Sequence, residues 1–332
     1  MTAEGVAPSD AGPVLDIENL TIEFGSGQRV SRVVDGVNVS IKPGEIVGII
    51  GESGSGKTLT ALAVLGLLPR AARIRSGAIR LNGESLLECS AERRRSLRGD
   101  RIAFIPQDAL RALNPTLTIG TQVGEPFTIH RRTPWNVAIA RAIDLLAAVH
   151  LRDPGIRASE YPHQFSGGMQ QRAMIAMGLA LQPQLLIADE PTTALDVTVQ
   201  AQILKLLREI RETHRTSILF ISHDLGVVAN LCDRLYVMYA GAIVEQGGVG
   251  QIFADPSHPY TRALLRATPT VRAVQQELHS IAGQIPLPWQ LPKGCRFADR
   301  CDVVFAPCRE EPPVFKLSPD HAAWCWRCQR GR

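Results

Sequence analysis

Eight residues, GESGSGKT from Gly51 to Thr58, restrict the architectures open to this chain more than any other feature. They match the pattern G-x-x-x-x-G-K-[ST], between an apolar run (GEIVGIIG, Gly44 to Gly51) and a helical run from Leu59 to Leu68. An unbroken apolar stretch of that kind suits a strand buried on both faces of a parallel sheet. Glycines bare the backbone N–H groups, and the following helix presents its positive end, so the turn is an anion site. The pattern predicts that Ser53, Gly54, Ser55 and Gly56 wrap nucleotide phosphates and that Lys57 reaches the β- and γ-phosphates. Thr58 ligates Mg²⁺, and Leu59 continues the contact into the helix.

The rest of the chain supports an α/β fold. Val14 to Phe24 alternates apolar and polar residues, as do Val37, Val39 and Ile41, so two half-buried strands are expected. Gly77 to Leu81 with Asn82-Gly83 after it reads as one arm of an antiparallel hairpin. Trp135 to Leu151, Ser166 to Leu181 and Asp196 to Glu212 have helical periodicity, the last two opening on capping residues. Short apolar strands, Leu185 to Ala188 and Ser217 to Ile221, separate them. Strands alternating with helices predict a parallel sheet. Gln284 to Lys293 holds three prolines and is expected to be irregular, and a domain boundary is placed near Ser257. Three domains follow: a disordered lead-in over 1–13, a nucleotide-binding domain over 14–256 and an extension over 257–332.

Two carboxylates close the strand LLIADE, residues 185–190. Asp189 at the strand end is placed to hold Mg²⁺, and Glu190 beside it to polarise the attacking water as general base. Upstream, FSGGMQQR (Phe165 to Arg172) sets Ser166 as a helix cap with Gly167 and Gly168 exposing N–H groups behind it, a second anion site.

Taken in order, these motifs resemble the ATP-binding domains of the ABC family over roughly residues 14–250. The resemblance implies a RecA-like P-loop core, an antiparallel β subdomain near the N-terminus and a helical subdomain around residues 110–175. It implies further roles residue by residue. Gln107, in AFIPQD, is similar to the glutamine that senses Mg²⁺ and the attacking water. Ala194-Leu195-Asp196 resembles the D-loop, with Asp196 at a dimer interface. His223, in LFISHD, resembles the switch histidine on the γ-phosphate, and Phe24 sits where an aromatic stacks on adenine. Ser166, Gly167 and Gly168 would close over ATP held by a partner's phosphate loop, so two ATP molecules lie between two such domains.

Three stretches resemble the oligopeptide/dipeptide importer ATPases in particular. QDALRALNP (Gln107 to Pro115) matches their Q-D-x-x-x-S-L-N-P run with Ala112 in place of serine, and HPYTRALL (His258 to Leu265) matches their hallmark beyond the nucleotide domain. The third is a tail that carries five of the chain's seven cysteines in its last 38 residues. Met169 in the signature is typical of one of their two paired ATPases, which implies a heterodimer. The expected activity is ATP hydrolysis driving peptide import across the cytoplasmic membrane. Two membrane permease subunits and an extracytoplasmic binding protein are implied, with the chain peripheral at the cytoplasmic face. Nickel, glutathione or sugar-oligomer import is the alternative cargo, and a soluble ABC regulator the alternative class.

Composition narrows the choice only where it excludes. A net charge of +4 over 68 charged residues shows no basic patch or aromatic platform for nucleic acid. Met1 to Pro13 has no apolar core of a secretory signal, and Ala61 to Leu68 is too short to span a bilayer. A cytosolic setting keeps thiols reduced, which turns the tail cysteines toward metal ligation. Cys295, Cys301, Cys308 and Cys325 are separated by wide, irregular steps, and the only tight pair is Cys325 with Cys328. Four thiolates so spaced suit a 4Fe-4S cluster, as the family resemblance also implies, with zinc as the alternative. Cys328 could replace Cys325 as fourth ligand. The metal would staple an extension too proline-rich to hold itself together.

Overall fold

The computed structural model describes residues 12–26, 29–193, 195–267 and 280–330. The lead-in expected over 1–13 falls almost wholly outside them, as does Ala194 of the expected D-loop. Among the described residues twelve strands, numbered in chain order, build two sheets. They are β1 (Leu15–Ser26), β2 (Arg29–Ile41), β3 (Ile46–Ile50), β4 (Ala72–Leu81), β5 (Glu84–Ser85) and β6 (Ile102–Ile105). Then come β7 (Leu185–Asp189), β8 (Ser217–Ser222), β9 (Arg234–Tyr239), β10 (Ala242–Gly248), β11 (Phe315–Ser318) and β12 (His321–Ala323).

The smaller sheet is antiparallel, in the order β2-β1-β4-β5. Its last hairpin turns on Asn82 (φ 47°) and Gly83 (φ 82°), the left-handed pair expected of that dipeptide. β4 starts at Ala72, ahead of the expected Gly77: Ala72 and Ile74 alternate with Arg73 and Arg75, pack against the core and pair with β1 through Phe24↔Ala72 and Ile22↔Ile74. The larger sheet runs β11-β12-β10-β9-β3-β8-β7-β6, and β9, β3, β8, β7 and β6 are mutually parallel. β3 is buried throughout, and its residues alternate between two cores. Ile46 and Ile50 join Phe220 and the helical side, whereas Val47 and Ile49 pack with Leu15, Ile17 and Ala61. A strand with an apolar partner layer on each face must read as a continuous apolar run, as GEIVGIIG does.

Helices Ile119–Arg131, Trp135–Ala148, Pro154–Ser159 and Gly167–Leu179 form the helical layer, close to the expected span. No helix among the described residues is long and apolar enough to cross a membrane. Residues 284–293 are irregular, as three prolines dictate. The extension nevertheless rejoins the core: β12 pairs with β10 through Glu245↔Ala323 and Gln246↔Ala322. A boundary near Ser257 therefore marks a change of composition, while the sheet continues across it.

Candidate functional site

The loop between β3 and the helix Lys57–Leu65 can only be built with glycine at its ends. A Cβ at Gly51 (φ 153°) would run into the Met238 carbonyl, and one at Gly56 (φ 106°) would lie 2.7 Å from Met238 Cε. Lys57 Nζ curls back to donate to the carbonyls of Gly51 (2.7 Å) and Glu52 (2.9 Å). Burial pushes its pKa down, and the carboxylates of Glu190, Asp189 and Glu52 oppose that. A buried cation facing carbonyls and acids is ready to exchange them for a more strongly charged anion.

Thr58 Oγ1 donates to Asp189 Oδ1 at 3.2 Å, which joins the first helical turn to the end of β7. Burial raises the Asp189 pKa, and the Thr58 hydrogen bond works against the rise. Only about 4% exposed and without a salt bridge among the described residues, this carboxylate suits a hard metal ion. Glu190 follows with φ 49°, and three side chains fix its carboxylate. Gln107 Nε2 donates to Oε2 at 2.8 Å, Thr193 Oγ1 to the same oxygen at 3.1 Å, and His223 Nδ1 lies 3.0 Å from Oε1. With its amide nitrogen on Glu190, Gln107 keeps its amide oxygen for a metal.

All of these polar side chains except Asp189, which sits buried behind Thr58, line one cavity of about 670 Å³. Ser53, Gly54, Gly56, Lys57, Thr58, Leu59, Gln107, Glu190 and His223, all singled out in the sequence, line it. Ser55 does not: it is fully buried, its hydroxyl has no partner, and its carbonyl accepts from Gly241 N. Phe24 is not among the lining residues and is 42% exposed on β1. Ser166 caps its helix by accepting from Met169 N (3.4 Å), and Asp196 caps the next by accepting from Val199 N (2.9 Å). Neither lines the cavity, nor do Gly167 and Gly168. Gly168 is packed so closely that a Cβ would meet Val199 Cγ1 at 2.6 Å.

Several site residues carried no sequence signal. Arg32, Val33, Thr193 and Ala240 line the cavity, with Pro286, Pro288 and Leu291 from the extension. Arg300 donates to both carboxylate oxygens of Glu52 (2.7 and 3.0 Å), and the Tyr260 hydroxyl accepts from Glu52 N at 2.9 Å. HPYTRALL is visible as a motif, yet nothing in it points to a loop some two hundred residues earlier. Its histidine is a fastening: His258 Nδ1 accepts from Tyr260 N, and complete burial pushes its pKa down to about 3. Glu245, also fully buried, accepts from Ser257 N (2.7 Å), His258 N (2.9 Å) and His321 Nε2 (2.8 Å).

Cys295, Cys301, Cys308 and Cys325 line a second, small cavity with His258 and Phe297, and Cys328 does not. Burial pushes the Cys295 thiol up to about 11, while a hydrogen bond from Cys328 pulls Cys325 down to about 7. Among the described residues no three His, Cys, Asp or Glu side chains form a group that could hold a metal ion. The expected metal centre is thus not assembled by these thiols as they stand. They surround a common space without converging on one point, and Cys325 is engaged by its neighbour.

A model described as ABC transporter matches residues 34–193, and one for the oligopeptide/dipeptide transporter C-terminal region matches residues 244–308. The chain is 48% identical to a probable peptide ABC transporter ATP-binding protein of Sinorhizobium fredii over 95% of both chains. It is 44% identical to the dipeptide transport ATP-binding protein DppD of Escherichia coli, over 92% of this chain and 94% of that one. Among solved structures it resembles the ATP-binding cassette MJ0796 in a dimeric post-hydrolysis state with ADP and Pi, with a TM-score of 0.64 at 27% identity. It also resembles cbiO1 of Clostridium perfringens, part of a cbiONQ transporter complex (TM-score 0.62, 26% identity). The first likeness covers 98% of that chain and 71% of this one, so this chain extends well beyond that cassette.

Proposed function

The chain belongs to the ATP-binding subunits of ABC transporters, in the oligopeptide/dipeptide branch, and we propose that the cavity around residues 52–59 is where it hydrolyses Mg²⁺-ATP. The activity is ATP hydrolysis coupled to peptide import. One observation carries the assignment of the site: a phosphate loop ending in Thr58, whose hydroxyl bonds Asp189 behind it, and a carboxylate held by Gln107 and His223 face one cavity.

In this reading the loop N–H groups and Lys57 hold the β- and γ-phosphates. The Thr58 hydroxyl, the Asp189 carboxylate and the Gln107 amide oxygen are the hard oxygen donors that would hold Mg²⁺, which would neutralise charge on the phosphates. Glu190 orients the attacking water and accepts its proton. His223 holds the far oxygen of Glu190, which restricts the carboxylate to one orientation. Ser166, Gly167 and Gly168 lie outside their own chain's cavity, which suits action on a partner's ATP, with Asp196 at the same interface. The partner is a second ATPase of the same type, and the pair docks on two permease subunits at the cytoplasmic face, fed by an extracytoplasmic binding protein. Peptide is favoured over nickel, glutathione or sugar oligomers because the relatives' names and the matched C-terminal region agree on it.

The four thiols around the second cavity match the donor set of a 4Fe-4S cluster, which is bound by ligands that surround it. A single zinc ion needs ligands converging to about 2.3 Å and fits this arrangement less well. Bound there, the cluster would cross-link Cys295, Cys301, Cys308 and Cys325. Anaerobic purification with iron and sulfide assay decides it: near-stoichiometric iron and sulfide with visible absorbance is expected. A colourless protein with one zinc, or an ordered metal-free tail, contradicts the cluster. For the assembly, purification from detergent-solubilised membranes should bring down multi-span subunits, and their absence would contradict the docked complex.

A further inference from the structure

The nucleotide cavity has a wall supplied by the extension. Pro286, Pro288 and Leu291 are half-buried and line the cavity, while Leu287 and Trp289 between them point outward, 47% and 69% exposed. The extension is tied down just beyond this wall. Arg296 donates to the Ala240 carbonyl (2.7 Å) and to Asp35 Oδ2 (2.6 Å), and Arg300, its side chain only 6% exposed, grips Glu52.

Sheet order fixes which end of the nucleotide this wall meets. The phosphate loop leaves β3; β8 and β7, leading to His223 and Glu190, lie on one side, and β9, leading to Ala240, on the other. Hydrolysis requires the γ-phosphate on the side of Glu190. The nucleoside end then lies toward Ala240, Val33 and the wall. Phe24, expected to stack on the base, does not line the cavity.

We infer that the extension is part of the ATP site: Pro286, Pro288 and Leu291 form the apolar surface against which the nucleoside end of ATP packs. This rests on the nucleotide reading above and adds a subsite to it. Two prolines suit the task, since they present apolar surface without losing side-chain freedom on binding. Arg300 is a positioning residue that acts through Glu52 on the entry to the phosphate loop. A protein that keeps its extension folded thereby keeps its ATP affinity.

The test compares two ligands with the same phosphates, Mg²⁺-ATP and Mg²⁺-tripolyphosphate, by equilibrium titration of the full chain. Leu291→Asp and Pro288→Gly should weaken ATP about tenfold, the scale of one lost apolar contact surface, and leave tripolyphosphate unchanged. Arg300→Gln should weaken both ligands together, because it acts on the loop. Should Leu291→Asp unfold, Leu291→Ala carries the same comparison. Unaltered ATP affinity in the folded wall variants, or equal loss for both ligands, overturns the subsite. Failure of the unsubstituted chain to bind ATP would instead contradict the nucleotide site itself.

Discussion

Glu190 occupies a left-handed backbone conformation (φ 49°), which costs a non-glycine residue roughly 1 kcal/mol. A hydrogen bond from its N–H to the Ile221 carbonyl holds it there, and Gln107, Thr193 and His223 fix its carboxylate. A carboxylate so constrained is placed for one proton transfer. Glu190→Gln keeps the shape and removes the proposed base, so hydrolysis should fall about 10²-fold or more while ATP binding persists. Phosphate release and equilibrium binding, measured on the same preparation, check both halves; normal turnover would remove Glu190 from the role. Lys57→Ala acts on the other quantity. It removes a charge-assisted contact of about 1.5–3 kcal/mol, so ATP affinity should drop about ten- to a hundredfold in the same titration.

At the scale of elements, one fastening between core and extension centres on a single buried carboxylate. Glu245 on β10 accepts from two backbone N–H groups before the helix Pro259–Ala267 and from His321 on β12. Glu245→Ala leaves three donors unsatisfied in a dry interior, and a loss of about 3 kcal/mol is expected. Denaturant titration should report it, and limited proteolysis should cut the extension first. Unchanged stability would show that the strand pairing of β12 and the Arg296 and Arg300 ties suffice without it. None of this was legible beforehand. The glycine loop, the apolar β3 and β7 and the capped helices at Ser166 and Asp196 announce themselves because local spacing dictates them. β11 and β12 are short and unpatterned, and they exist because β10 offers an edge to pair with. Ser55 matched the loop pattern yet faces inward, since a one-dimensional motif says which residues form a turn and not which way each points. Phe24 lies on β1 as the alternation predicts, exposed and outside the cavity lining, a placement that strand alternation does not report.

The whole molecule is an ATPase cassette whose sheet is completed by its own C-terminal extension and whose nucleotide cavity spans both. ATP hydrolysis, which we propose takes place at Glu190, has to be spent on moving a peptide, and that coupling is the central claim. It is tested most directly in proteoliposomes holding this chain with its partner ATPase and membrane subunits, supplied with the binding protein and a labelled peptide, with ATP and Mg²⁺ on the ATPase side. The account predicts peptide accumulation that requires Mg²⁺-ATP and collapses in step with hydrolysis when Glu190 is replaced by Gln. Accumulation that continues at full rate with Glu190→Gln, or ATP consumed with no peptide moved, would contradict it.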